Sequence, residues 1–336
     1  MKILFTGMTS AHCKDGQNVS FFRVVAKAYS EIAEVVWSTP KLSWSRADLE
    51  KFDLVVLGMS PPTSLASNYI YGSLHVLNLL YESPKLRLIV DSPQMWQYKN
   101  SIRAFKRDPE QIFGSFYSNR VNYEEAKTSK VRSSVEAVAE KLQTVKWPTT
   151  IVPSLPWLTK DSISRKIPFI TEDSIVPLNL DSFLFEETSP QIGRKNTWAV
   201  ENTSSVWWKT LEKTLSNPGE SIRYSKKPKD AEVFERIKTS FGLVVPPQDR
   251  KVGTWWSYRY IQALNSATPV VTYWNDINDF DSSWRYLGYQ VEDMQPYDRQ
   301  HVAYQQRNSY ISNVPSKDES LKTLNKLVVD FQKESV

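Results

Sequence analysis

Short apolar runs alternate with amphipathic stretches along most of this chain, the pattern of buried strands separated by helices. Residues 2–7, 35–37, 53–58 and 86–90 read as strands, and the last of them, LRLIV, ends at Asp91. Residues 19–34 have helical periodicity, with Phe21, Phe22, Val25 and Tyr29 apolar, and 71–81 form a second predicted helix. Such alternation implies a parallel sheet with right-handed crossovers. Polar residues gather after the strand ends, at 9–18, 60–64 and 91–93, which predicts a functional rim along one edge of that sheet. Beyond it, 124–142 reads as a helix and 151–156 as a short strand with prolines. Residues 159–193 are polar and irregular, a natural domain boundary.

The pattern then starts again. A short strand at 197–200 leads through Glu201, Asn202, Thr203, Ser204 and Ser205 into a helix at 206–215. Hydroxyl and amide side chains before a helix N-terminus make either a simple N-cap or an anion site. A strand at 221–224 and a helix at 230–238 follow. The most informative stretch is 242–272, GLVVPPQDRKVGTWWSYRYIQALNSATPVVT. An apolar strand at 241–245 stops at Pro246-Pro247, because proline cannot donate to a ladder. Residues 255–265 then read as a helix with Tyr258, Ile261, Ala263 and Leu264 as its apolar stripe, and 267–272 as the next strand. Arg259 and Gln262 are three apart and share a face. In open α/β sheets ligands bind beyond the carboxyl ends of the strands, so Arg259, early in a helix after such an end, suits an anion such as phosphate. Residues 316–332 form a last amphipathic helix.

Composition narrows the picture. At 336 residues the chain suits two domains, and 40% hydrophobic with 24% charged residues is globular. A single cysteine, Cys13, excludes an internal disulfide and suits a reducing, cytoplasmic compartment. No apolar run is long enough to span a bilayer, so no membrane partner is expected. A net charge of +5 is compatible with an anionic partner without selecting one. Trp96, Lys99, Arg103, Lys106 and Arg107 lie in a basic, aromatic segment, 94–119. That is either a nucleic-acid contact or an amphipathic helix with a solvated basic face. No Walker loop, no Gly-x-Gly-x-x-Gly and no Cys/His cluster for zinc is present. Asp276, Asp279 and Asp281 have an Asp-x-Asp look but read as loop acidity. No metal site is therefore expected, although Mg or Mn can assist without a motif that requires it.

The two halves, with WWSYRYIQALNSATPVVTYW in the second and LRLIVDSPQMW in the first, resemble nucleotide-sugar glycosyltransferases of the GT-B architecture. The likeness is to the phage enzymes that glucosylate hydroxymethylated pyrimidines in DNA, the β-glucosyltransferases of the T-even phages. The resemblance implies an α/β fold of two Rossmann-like domains facing a central cleft. Residues 1–165 would bind the acceptor and 190–315 the nucleotide sugar, while 316–336 would be a C-terminal helix returning to the first domain. It also implies a UDP-sugar donor, UDP-glucose first, and double-stranded DNA with hydroxymethylcytosine or hydroxymethyluracil as acceptor. A monomer is expected. On this resemblance Asp91 is the general base, Arg259 meets the diphosphate, and Gln262 stands where the family has a glutamate that holds the ribose. Gln17 falls near the family's acidic residue in the first loop. The segment 198–205 takes the place of a donor loop whose phosphate arginines this chain lacks.

The chemistry of glycosyl transfer needs a group to take the acceptor's proton and cations or dipoles for the departing diphosphate. Asp91 can do the first. Arg259 and the backbone of the 201–206 loop can do the second, with Lys209 or Arg250 as helpers and Trp255 and Trp256 walling the pocket. His12, oriented by Asp15, is a rival base. Three functions fit: a DNA glycosyltransferase moving a hexose or pentose with inversion, a GT-B enzyme acting on a glycan or small molecule, and a non-catalytic nucleotide- or DNA-binding module.

Overall fold

Lys2–Gly7, Leu54–Met59 and Leu86–Val90 are almost unbroken apolar runs, and strands of that kind must be covered on both faces. The computed structural model, which describes residues 1–15, 20–59, 69–90, 148–153, 172–185, 198–200, 230–245, 258–272 and 299–334, places them at the centre of a six-stranded parallel sheet. In chain order the strands are β1 (Lys2–Gly7), β2 (Glu34–Trp37), β3 (Leu54–Met59), β4 (Leu86–Val90), β5 (Thr150–Pro153) and β6 (Ile175–Leu178). Their spatial order is β2-β1-β3-β4-β5-β6, and every neighbouring pair is parallel. All six residues of β3 are buried, whereas β2 has Glu34 exposed and its other three residues half-buried. Helices α1 (Phe21–Ser30), α2 (Arg46–Glu50) and α3 (Tyr69–Leu80) lie between the strands. Phe5 of β1 packs edge-on against Phe22 of α1 at 5.3 Å between ring centres, which fastens the helix to the sheet.

The chain divides into two compact units. The first comprises Met1–Ser154, Leu158–Leu180 and Lys317–Val336, and the second Leu155–Trp157 with Asp181–Ser316. The last helix of the chain thus belongs to the first unit. There Arg87, buried within β4, donates from Nη2 to the Leu327 carbonyl at 3.0 Å, and Lys317 pairs with Glu31 at 3.0 Å.

In the second unit β7 (Ala199–Val200), β8 (Leu243–Val245) and β9 (Val270–Thr272) form a parallel sheet in sequential order. Around it run α4 (Asp230–Thr239), α5 (Tyr258–Asn265) and α6 (Arg299–Asn313), and α7 (Lys317–Glu334) follows in the first unit. Val233, Ile237, Leu243, Ile261, Leu264, Val270 and Tyr310 form the core of the second unit. Buried Gln306 of α6 accepts from the Val270 N–H at 2.8 Å and donates to the Val270 carbonyl at 2.7 Å, standing in for a neighbouring strand.

Several predicted boundaries are corrected. The first helix ends at Ser30, and Glu34 opens β2 instead of closing the helix. The irregular stretch 159–193 contains β6, which carries Pro177 and lies at the edge of the sheet among the described residues, where proline is tolerated. Ala267 and Thr268 terminate α5 and do not begin β9. Tyr258 is only half-buried, with Arg259 over its ring, and Tyr260 takes the core position instead.

Candidate functional site

In the second unit, β8 runs outward to Val245 and the described chain resumes at Tyr258, the start of α5. The first turn of α5 carries no acidic residue of its own, and the N-terminal end of a helix is the positive end of its dipole. Arg259 lies in that turn. Its Nη1 donates to Gln262 Oε1 at 2.9 Å, one turn along, and its guanidinium lies 5.7 Å from the centre of the Tyr258 ring. α5 is anchored in the core through Tyr260, Ile261, Ala263 and Leu264. The far end is fixed equally firmly. Thr268 N–H bonds the Ala263 carbonyl at 2.8 Å and Ala267 N–H bonds the Leu264 carbonyl at 3.0 Å, a Schellman termination with Ala267 at φ 48°. Arg259 and Gln262 are thus side chains on a helix locked at its buried face and at its end.

The core beneath α5 is also polar. Tyr310 donates to Asp181 and stands 6.2 Å from the Tyr260 ring, all three residues being buried. Burial, helped by the negative charge of Asp181, pushes both phenols well above their ordinary pKa. The three side chains lock α6 to the start of the unit through a buried hydrogen bond.

In the first unit the strand order reverses direction between β1 and β3, and such switch points are where ligands bind in open parallel sheets. Gly7 and Gly58 face one another there, at the carboxyl ends of these two strands. The absence of side chains on both lets the His12 ring settle over them. A methyl group at Gly58 would stand 2.5 Å from His12 Cγ, and one at Gly7 would stand 2.6 Å from the Gly58 carbonyl. His12 also packs on Phe22 at 4.6 Å and is 3% exposed. Burial, then the positive charge of Arg23, lowers its pKa to about 4, against the pull of a hydrogen bond with the Gly58 backbone. Arg23 of α1 latches the loop above it: Nη2 donates to the Ala11 and Lys14 carbonyls and Nη1 meets Asp15 at 3.2 Å, while the guanidinium sits 5.3 Å from the Trp37 ring centre.

This arrangement removes His12 as the rival base. Its ring is a buried wedge, neutral at neutral pH, and the carboxylate of Asp15 pairs with Arg23 instead of orienting the imidazole. Arg23 itself escaped the sequence reading. A lone arginine on an amphipathic helix gives no sign that it will reach back to two carbonyls. His75 is likewise structural, its Nε2 donating to the Trp44 carbonyl at 2.9 Å.

Of the residues singled out by sequence, Arg259 and Gln262 are brought together as a hydrogen-bonded pair. Asp91, the donor-side group Glu201, Asn202, Thr203, Ser204 and Trp256, and the acceptor-side group Gln17, Trp96, Lys99, Arg103, Lys106 and Arg107 lie outside the described residues. Among the described residues no group of three or more His, Cys, Asp or Glu could hold a metal ion, and no helix is long and apolar enough to cross a membrane.

No protein-family model matches the chain, and no curated protein matches it in sequence. Its fold is nonetheless similar to that of solved structures. T4 phage BGT in complex with UDP and Mn2+ superposes with a TM-score of 0.57 at 11% identity, over 98% of this chain and 99% of that one. T4 phage BGT in complex with its UDP-glucose substrate gives a TM-score of 0.51 at 11% identity, over 99% and 97%. The α/β, GT-B fold expected from the sequence is therefore the fold found.

Proposed function

We propose that this protein is a glycosyltransferase that moves a sugar, glucose first among candidates, from a UDP-sugar to the hydroxymethyl group of a modified pyrimidine in double-stranded DNA. The observation that carries the reading is the Arg259–Gln262 pair at the start of α5, after the carboxyl end of β8, in a chain whose fold follows T4 phage BGT from end to end. A guanidinium in the first turn of a helix is suited to a diphosphate.

In the proposed reaction, Asp91 takes the proton of the acceptor hydroxyl as its oxygen attacks the anomeric carbon. The bond from that carbon to the diphosphate oxygen breaks on the opposite face, and the electron pair leaves with UDP. Attack opposite the leaving group inverts the anomeric centre. Arg259 stabilises the charge growing on the diphosphate, and such preorganised groups typically contribute about 3–4 kcal/mol to a barrier. Glu201, Asn202, Thr203, Ser204 and Trp256 complete the donor side in this proposal. Gln17, Trp96, Lys99, Arg103, Lys106 and Arg107 hold the DNA, whose modified base turns out of the stack to reach Asp91. The reading requires no metal, and a divalent ion would act on the departing UDP.

Labelled UDP-sugars offered with DNA containing hydroxymethylcytosine, hydroxymethyluracil or neither base test this directly. Transfer to a hydroxymethylated DNA and none to plain DNA is the expected result. Transfer only to a glycan or small molecule would replace the acceptor and keep the donor side. Absence of transfer from any nucleotide sugar to any acceptor would leave a binding module in its place.

A further inference from the structure

Residues 8–15 run over the carboxyl ends of β1 and β3 and are fastened along their length. Met8 N–H donates to the Gly58 carbonyl at 3.1 Å, and the Cys13 thiol donates to the Gly7 carbonyl at 3.3 Å. The His12 ring is wedged against both glycines. From α1, Arg23 Nη2 donates to the Ala11 carbonyl at 3.2 Å and to the Lys14 carbonyl. The charges of this stretch differ in what they offer. Arg23 Nη1 lies 3.2 Å from Asp15, so that carboxylate is countered within the protein, and the Arg23 side chain, 11% exposed, is too deep to meet a partner itself. Lys14 is exposed and makes no ion pair among the described residues. β4 ends at the same edge of the sheet, with Val90 paired to Met59, and Asp91 follows it in the sequence. β1 lies two strands from β4, about 10 Å.

We infer that Lys14 is a contact for a phosphate of the DNA backbone, and that Arg23 is its positioning residue. The inference rests on the DNA acceptor proposed above and adds a point of grip outside the basic segment 94–119. A lysine on a loose loop loses backbone freedom when it meets a phosphate. Lys14 has that freedom removed in advance, because its own carbonyl is held by Arg23. The same guanidinium keeps Asp15 from repelling a phosphate beside Lys14.

Affinity for a duplex containing hydroxymethylcytosine, read by fluorescence anisotropy over a series of salt concentrations without donor, tests this. Each phosphate contact contributes about 0.9 to the slope of log affinity against log salt. Lys14→Gln should lower the slope by about that amount. Lys51→Gln removes an exposed lysine just before β3, at the opposite edge of the same sheet, and should leave the slope unchanged. Arg23→Met should lower it as much as Lys14→Gln does, and the double variant should lose nothing further. A constant fraction of misfolded protein shifts the apparent affinity and not the slope. An unchanged slope in Lys14→Gln, an equal fall in Lys51→Gln, or full additivity of Lys14→Gln with Arg23→Met overturns the inference and leaves the DNA reading standing. Failure of the unsubstituted protein to bind the duplex overturns both.

Discussion

His12 is held neutral by its surroundings, and the consequence is a dependence of stability on pH. Burial and Arg23 lower its pKa from 6.5 to about 4. Above pH 6.5 neither the folded nor the unfolded state protonates it, and its contribution is fully present. As the pH falls from 6.5 towards 4 the unfolded chain takes up the proton while the folded one does not, so stability is lost on acidification. Between pH 7.5 and 4.5 the loss attributable to this residue is about 2–3 kcal/mol. Hydrogen exchange at the β1 and β3 amides should show it, and His12→Gln should lack that part of the slope. An identical slope in the variant would mean that the ring is not buried as described. The sequence showed a loop histidine near an aspartate but not the two facing glycines that draw it inward. Burial arises from β1 and β3 meeting across the sheet, a pairing of residues about fifty positions apart.

At the scale of elements, α5 is the piece on which the proposed donor site depends, and it is closed by a residue in an unusual conformation. Ala267 adopts φ 48°, in the left-handed region that costs an L-residue roughly 1–2 kcal/mol. Glycine would relieve that cost and lose a buried methyl worth about 0.8 kcal/mol, so Ala267→Gly should be nearly neutral. A β-branched residue adds its own clash there and overfills a packed position. Ala267→Val should destabilise the second unit by about 2–4 kcal/mol, read as a fall in its urea midpoint. A valine variant as stable as the parent would contradict the left-handed termination. The legibility of elements follows the same physics. β1, β3, β4 and β8 were readable because buried strands of a parallel sheet are continuously apolar. α6 was missed because only Val302, Ala303, Gln306 and Tyr310 turn inward on an otherwise polar helix, and one of its chief contacts is a glutamine acting as a strand. β6 was hidden by Pro177, and α2 by its shortness, although Ser45 and Asp48 form a capping box that marked its start.

For the whole molecule, the proposal divides labour between two units of similar construction. One carries Asp91 and the segment proposed to meet DNA, and the other carries Arg259 and Gln262 on α5. The order of strands in the first sheet was not legible, because a parallel pattern fixes strand direction and not neighbours. The two-part α/β plan was legible, because alternation of strand and helix restarts after residue 193. The central claim, that nucleotide is bound through Arg259 while the chemistry belongs to Asp91, meets its most direct test in UDP affinity measured by calorimetry for Arg259→Ala beside Asp91→Asn. Loss of one charged hydrogen bond to phosphate predicts UDP binding weaker by about 10- to 100-fold in Arg259→Ala, and affinity close to that of the parent protein in Asp91→Asn. Equal UDP affinity in Arg259→Ala and the parent would contradict the account.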